Sequence, residues 1–178
     1  MKKLNIKRAF KTLVKNSEGT IYWQAFNGGN YLVGNAHCII TVSDSDFHDN
    51  FDVINTNKVR LVNSECLLLD VARKCAEHLE TEYMKPTTVS IMVGSTNTQV
   101  LKTSRTRRLT VVNKEYMQCL EDAGSTMLYV SKRETSVKEP LFEMLTDEKQ
   151  ELVKFFCVLP IKCDVENVLG DVLSKNII

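Results

Sequence analysis

The order in which helical and strand patterns follow each other constrains the fold of this chain most strongly. Apolar residues recur at helical spacing in four segments, and runs rich in β-branched and aromatic residues fill the stretches between them. The order is helix, strands, long helix, strands, short helix, strands and helix. Neighbouring strands joined by short turns pair antiparallel, so the pattern predicts a mixed α+β domain.

The first helical pattern covers residues 2–15 and separates apolar from basic side chains. Its apolar stripe consists of Leu4, Ile6, Phe10, Leu13 and Val14. Its basic side consists of Lys7, Arg8, Lys11 and Lys15, and the segment contains no acid. We predict that the helix ends at 16–19, where Asn and Gly favour a C-cap. Residues 20–42 then predict a β-meander with a glycine turn at 27–30.

The middle of the chain predicts a second, longer helix. The polar segment 43–57 favours a loop or a short helix. From residue 63 to about 83, apolar residues recur at helical spacing, namely Leu67, Leu68, Val71, Cys75 and Leu79. We predict that this helix ends at Lys85-Pro86, because the residue before a proline avoids the α region.

The second half repeats the order of the first. Residues 87–112 predict three strands, Asn113 caps a short helix over 114–124, and three strands follow at 126–132, 140–145 and 152–163. An amphipathic helix over about 164–176 closes the chain. Without the central and last helices, a short helix followed by antiparallel strands occurs twice. We therefore predict one domain over 1–178, with halves at about 1–60 and 86–163, an inserted helix at about 63–84 and an extra C-terminal helix.

Bulk composition excludes several classes of protein. The chain has 178 residues, 43% of them apolar and 25% charged, as expected for one globular domain. Its formal net charge is +1, so any contact with DNA has to come from a local patch. We expect neither a signal peptide nor a membrane span. The six cysteines lie in apolar runs and predict buried, reduced thiols, which favours the cytoplasm.

Three blocks in the second half resemble one known family. They are Asn113 with Tyr116, Met117 and Leu120; then Glu139-Pro140-Leu141-Phe142; then the run from Phe156 to Lys162. Their types and spacing over 106–163 resemble the end of the bacterial DNA polymerase III β subunit, the sliding clamp. An earlier strand pair, with His37 in the position of the family's histidine, is loosely similar. It departs from the family at Asn35-Ala36 and at Cys38.

The resemblance implies a single DNA-clamp-like domain without catalytic residues, metal or cofactor. It implies a processivity factor of the kind that a phage or mobile element uses in DNA replication. Such proteins hold double-stranded DNA without reading its sequence, through Lys and Arg that face phosphates. The candidate DNA-binding residues are Lys3, Lys7, Arg8, Lys11, Lys15, Arg105, Arg107 and Arg108.

Alternative interpretations of these cations stay open. The basic side of the first helix is equally what any amphipathic helix turns to solvent. The arginines at 105–108 fit a charged hairpin tip. The short helix after Asn113 carries Glu115, Glu121 and Asp122, and an acidic helix would repel DNA.

The resemblance also implies a groove for partner proteins, such as a polymerase, beside the terminal strand. When the position of the family's groove is transferred residue by residue to this sequence, it falls on Val158, Leu159, Pro160 and Ile161. The same residues also fit an ordinary core strand, and the C-terminal helix could cover the groove or form an oligomer contact.

Three hypotheses follow for function. The first is a sliding-clamp-like processivity factor, which would form a ring only as a high-order homo-oligomer. The second is a monomeric or dimeric interaction module on the clamp fold that does not encircle DNA. The third is a small metal-dependent enzyme that uses the acidic loop around His48, with Asp44, Asp46, Asp49 and Asp52.

Overall fold

The computed structural model describes residues 3–77, 79–105, 108–121, 127–131, 141–146, 149 and 152–169. The helices are α1 (Ile6–Lys15), α2 (Asp44–Asp49), α3 (Phe51–Thr56), α4 (Leu67–Glu77), α5 (Lys114–Met117) and α6 (165–169). The strands are β1 (Thr20–Phe26), β2 (Asn30–Gly34), β3 (Cys38–Ser43), β4 (Arg60–Asn63), β5 (Leu79–Val93), β6 (Thr96–Thr103), β7 (Leu109–Asn113), β8 (Leu128–Ser131), β9 (Leu141–Thr146) and β10 (Leu152–Val158).

All ten strands belong to one mixed sheet, in the order β4-β1-β2-β3-β10-β9-β8-β5-β6-β7. Neighbours in this order pair antiparallel, except that β4 lies parallel to β1. The predicted α+β class is confirmed. The parallel strand β4 was not predicted; it pairs with β1 because α2 and α3 carry the chain back along β1 before β4 begins.

The sheet curls, so that its end strand returns to its middle. β10 lies at the centre of the strand order and ends at Val158, yet Ile161 donates its backbone N–H to Val111 of β7 at 2.8 Å. Three residues span at most about 11 Å, so the outer edge of β7 lies close to the end of β10. The segment 159–161 therefore lies where the two halves of the sheet meet.

One face of the sheet is covered by α1 and α5. Phe10 and Leu13 of α1 and Tyr116 and Met117 of α5 are buried in the same apolar cluster as strand residues such as Phe156. Each helix contributes one side to this core, as amphipathic helices on a sheet do. The core therefore fixes both helices on the same side of the sheet.

The opposite face is covered by α4 and α6. Leu68, Ala72 and Cys75 of α4 pack against β2, β9 and β10 in a second cluster. Val165 of α6 packs against β5, β6 and β7 in a third cluster. The sheet therefore forms the central layer of the described structure, with α1 and α5 on one side and α4 and α6 on the other.

The predicted central helix over 63–84 is too long. The structure has β4 up to Asn63, helix only over Leu67–Glu77, and strand β5 from Leu79 to Val93. Lys85-Pro86 lies inside β5, where the pairing with β6 shifts register between Pro86 and Ser90. The proline marks a β-bulge and not a helix end, which is a position where a missing N–H is tolerated.

The helix predicted over 114–124 is too long, because only Lys114–Met117 is helical and Leu120 pairs with Leu4. Most other predicted elements agree with the structure apart from their ends. The β-meander of 20–42 is confirmed as β1, β2 and β3, and the first helix ends where predicted, with Asn16 as its C-cap. That helix begins at Ile6 and not at residue 2, because Asn5 caps it and Leu4 pairs with Leu120. The polar segment forms α2 and α3. Of the predicted C-terminal helix, 165–169 is helical and 170–176 lies outside the described residues.

Candidate functional site

The cations of α1 form one exposed stripe along the helix. The Oδ1 of Asn5 accepts the N–H of Arg8 at 3.1 Å and fixes the start of the helix. Because residues turn by about 100° each, Lys7, Arg8, Lys11 and Lys15 fall within roughly 100° of arc. All four are exposed, while the opposite side is buried against the sheet.

Helix α5 lies antiparallel beside α1, and backbone hydrogen bonds join their ends. The N–H of Asn5 donates to the carbonyl of Cys119 at 2.8 Å, and the N–H of Glu121 donates to the carbonyl of Lys3 at 2.8 Å. These bonds place Lys3 next to the end of α5, on the same surface as the α1 stripe. The structure thus brings Lys3 close to the cations of α1.

Three of these five cations contact side chains from 114–121. The Nζ of Lys15 forms an ion pair with Glu115, and Arg8 donates to Gln118. The Nζ of Lys3 lies 3.8 Å from a carboxylate oxygen of Glu121. The hydrogen bond from Lys15 is the main reason that the pKa of Glu115 lies below its ordinary value.

The remaining two cations of the stripe, Lys7 and Lys11, are different. Within the part of the chain that the structure describes, neither has an ion pair or a side-chain hydrogen bond. They lie one turn apart on the exposed side of α1. These two ammonium groups are therefore the ones that a ligand can reach without displacing an internal partner.

The joint surface of the two helices is basic despite the acids of α5. Residues 3–15 carry five cations and no acid, and residues 114–121 carry Lys114 against Glu115 and Glu121. Asp122 lies outside the described residues. The balance therefore favours an anionic ligand over a cationic one.

The buried side chain of Asn35 forms hydrogen bonds with both α1 and α5. Its Nδ2 donates to the carbonyl of Leu13 at 3.0 Å and to that of Asn16 at 3.2 Å in α1 and its cap, and to the hydroxyl of Tyr116 at 2.9 Å in α5. Its Oδ1 accepts the N–H groups of His37 at 2.9 Å and Cys38 at 3.0 Å. One buried amide thus fixes the β2–β3 turn and both helices.

The backbone beside Asn35 turns tightly. A Cβ on Gly34 would lie 2.6 Å from the carbonyl oxygen of Cys38, so only glycine fits before this turn. Burial raises the pKa of Tyr116 and of the Cys38 and Cys119 thiols above their ordinary values. These groups are neutral at physiological pH and serve the core. Sequence reasoning used Tyr116 as part of a family motif and treated Asn35 as a departure from one, so it missed their hydrogen bond.

The second predicted cationic cluster lies apart from the first. Arg105 and Arg108 are exposed at the β6–β7 turn, and each already interacts with another group. Arg107 lies outside the described residues. The five-residue strand β7, about 17 Å long, separates this turn from α5. The structure therefore does not bring these arginines together with the α1 stripe.

The predicted partner-binding residues divide between core and surface. Val158 is fully buried, whereas Leu159, Pro160 and Ile161 are partly exposed. Leu159 donates its N–H to the carbonyl of His37 at 2.8 Å. Segment 159–161 thus forms a ridge anchored to the start of β3.

Cavities lie on both sides of this ridge. One has a volume of about 330 Å³ and is mainly apolar, lined by Leu159, Tyr22 and the α4 residues Leu67, Leu68 and Val71. The other measures about 440 Å³ and is more polar, with Lys15, His37, Asn113 and Tyr116 in its lining. No residue of the described part of α6 lines the apolar cavity, so α6 does not cover it.

The acidic loop forms α2 and α3, and Asp44, Asp46 and His48 have local partners. Ser43 caps α2 by accepting the N–H of Asp46 at 3.1 Å, and His48 lies 3.4 Å from Asp44. A hydrogen bond with Asp44 raises the pKa of Tyr31. Among the described residues, no group of three or more His, Cys, Asp or Glu is placed to hold a metal ion.

No protein-family model, curated protein or solved structure matches this chain. No helix in the described ranges is long and apolar enough to cross a membrane.

Proposed function

We propose that this protein is a non-catalytic, sliding-clamp-like protein that binds double-stranded DNA without sequence specificity and supports DNA replication. The observation that carries this proposal is a symmetry in the fold. Three of the six strands follow α1 in the chain (β1, β2 and β3), and three follow α5 (β8, β9 and β10). In the sheet order β1-β2-β3-β10-β9-β8, the last strand of one set, β3, pairs with the last strand of the other, β10. Helices α1 and α5 lie antiparallel on one face of these six strands. This arrangement supports our proposal that the domain is built from a twice-repeated, clamp-like unit.

The additional elements lie outside the repeated unit. Strand β4 extends one end of the six strands, and β5, β6 and β7 extend the other. Helix α4 packs on the face opposite α1 and α5. The basic surface of the two short helices is therefore left uncovered by the inserted elements that the structure describes.

The chemistry of α1 fits phosphate contact. Lysines on one exposed helix face bind the DNA backbone through charge and carry no sequence information. In our proposal Lys7 and Lys11 make the primary contacts, and Lys3, Arg8 and Lys15 form the remainder of the surface. We assign Arg105 and Arg108 a secondary role at most, because they lie at the far end of β7.

The salt dependence of duplex binding tests this proposal. We would compare K7Q/K11Q with the matched variant R73Q/K74Q, which removes two exposed cations from α4 on the opposite face. Each lost phosphate contact lowers the slope of log K against log salt by about 0.9, so K7Q/K11Q should lower it by about 2. Equal slopes for the two variants would exclude α1 as the DNA-binding surface.

Oligomeric state decides whether the protein encircles DNA. One domain per chain requires several copies in a closed ring of heterologous contacts. The outer edge of β7 is already bonded by Ile161 and flanked by α6, which leaves β4 as the unbonded end of the sheet among the described strands. We therefore propose DNA contact on one side without a ring, and sedimentation should then give a monomer or dimer at concentrations that saturate DNA.

A second candidate function is docking of a replication protein such as a polymerase. The observation that favours it is the apolar cavity beside Leu159, whose rim residue Leu67 is 57% exposed. A comparably exposed residue, Met92 at 59%, lies on β5 away from the cavity and provides a matched control. Polymerase binding that is lost in Leu67→Ser and kept in Met92→Ser would support docking; equal binding by both variants would exclude it.

We also propose that the protein is located in the cytoplasm. What supports it is that the six cysteines lie in apolar runs, as reduced thiols do. Four of them are buried as predicted, but the prediction is wrong for Cys66, which is exposed, and for Cys163, which is half-buried.

A further inference from the structure

We infer that the acids Glu115 and Glu121 set the DNA affinity of the basic surface by occupying Lys15 and Lys3. This inference rests on the proposed function, because it concerns the same surface. Helix α5 would act as an internal competitor of DNA, which leaves Lys7 and Lys11 as the cations that respond first to phosphate.

The positions of the two acids support competition over a purely structural role. Both ion pairs lie at the surface, with side-chain exposures of 67% for Lys15, 35% for Glu115, 81% for Lys3 and 51% for Glu121. Exposed pairs contribute little to stability, on the order of 0.2–1 kcal/mol. A phosphate that approaches α1 nevertheless meets the same ammonium groups and has to displace these carboxylates.

Glu115 is held in place for this role. Its second carboxylate oxygen accepts a hydrogen bond from Nδ2 of Asn16 at 3.1 Å. Because Asn16 already orients this carboxylate, Glu115 loses less conformational entropy when it binds Lys15. Such a preorganised internal anion competes more effectively than a mobile one.

The arrangement limits the number of phosphates that the surface neutralises. The two unpaired lysines of α1 contribute about 2 × 0.9 to the salt slope, apart from any contact made by Arg8, whose hydrogen bond to the neutral Gln118 leaves its charge uncompensated. If both acids are neutralised, Lys3 and Lys15 become available and the slope should increase by up to about the same amount. Between 50 and 200 mM salt, that difference corresponds to about a tenfold larger loss of affinity.

The test uses the full chain, a duplex of about 30 base pairs and a salt titration. We would compare E115Q/E121Q with E65Q/D70N, which removes two exposed acids near and on α4, on the opposite face. We expect E115Q/E121Q to bind more tightly at low salt, with the slope steeper by up to about 2. Thermal melting of each variant checks that the fold is kept.

A second pair of variants separates competition from a general change in charge. K3Q/K15Q should cancel the gain in the E115Q/E121Q background, because it removes the two ammonium groups that the acid substitutions released. An equal gain in E65Q/D70N, or a gain that K3Q/K15Q does not cancel, would overturn the inference while Lys7 and Lys11 still support DNA binding. Absence of DNA binding in every variant would instead overturn the proposed function, and this inference with it.

Discussion

Helices α1 and α5 pack on the same face of the sheet but differ in charge, because α1 is basic and α5 carries one cation and one acid. Helix α1 runs for ten residues with no acid, whereas α5 is a four-residue helix that carries Glu115 and is followed by Glu121. A symmetric clamp surface would be basic on both helices. Here the second helix neutralises part of the first. Two helices on the same face of a sheet can therefore differ in the contacts that they offer to a ligand.

The two helices also differ in how much of the core they supply. Five residues of α1 are buried, against two of α5. We interpret α1 as the structural and ligand-binding element and α5 as the element that adjusts it. Four predictions follow from this difference, from the largest expected effect to the smallest.

The largest effect is expected in the core. Phe10→Ala should lower the free energy of unfolding by about 4 kcal/mol, and Met117→Ala by about 3, because both side chains are fully buried and leave a cavity. Urea denaturation monitored by circular dichroism measures both values. A larger loss for Met117→Ala would show that α5, and not α1, is the main structural helix.

The junction between the helices comes next. Asn35→Ala should cost about 3 kcal/mol, because it leaves two carbonyls and two N–H groups of the junction without their buried partner. Asn97, an exposed asparagine of β6, is the matched control, and its replacement by Ala should cost less than about 0.5 kcal/mol. Similar losses in the two variants would mean that Asn35 does not hold the helices together.

Alkaline pH tests the burial of α5. The folded state raises the pKa of Tyr116 above its ordinary value of 10.0, so the unfolded chain ionises first. The contribution of neutral Tyr116 to the free energy of unfolding is complete below pH 10. As the pH rises further, this contribution falls by about 1.4 kcal/mol per pH unit. Stability measured between pH 9 and 11 should fall less steeply in Tyr116→Phe. The same slope in both proteins would contradict a buried, neutral Tyr116.

The smallest effect concerns the ion pair between the helices. The pKa of Glu115 is lowered chiefly by Lys15, so its stabilising contribution is present at neutral pH and is lost as the pH falls through that lowered value. We expect less than about 1 kcal/mol, because the pair is solvent-exposed. A carboxyl titration followed by NMR should give a higher pKa for Glu115 in Lys15→Gln. An unchanged pKa would show that the pair does not form in solution.

Local sequence patterns predicted most elements but not how distant elements combine. The meander, the end of α1 and the cap at Asn113 depend on neighbouring residues, and the structure agrees with each. The central helix was predicted too long because Leu79 continues the apolar spacing by chance. Proline at 86 has the same local signature at a helix end and at a bulge.

Pairings between distant residues left no signal in the sequence. The parallel contact of β4 with β1 joins residues 40 apart, and Lys15 and Glu115 are 100 residues apart. The acids of α5 were recognised as unfavourable for DNA, but their contact with particular lysines required the fold. The hydrogen bonds of Asn35 likewise depend on three segments that meet only in the folded chain.

The most direct test of the central claim is an NMR titration of the labelled protein with a short DNA duplex at low salt. The account predicts saturable shifts in the backbone amides of α1, strongest around Lys7 and Lys11, and unchanged amides in α4. Shifts concentrated on α4 or on the β6–β7 turn, or no saturable shift anywhere, would contradict it.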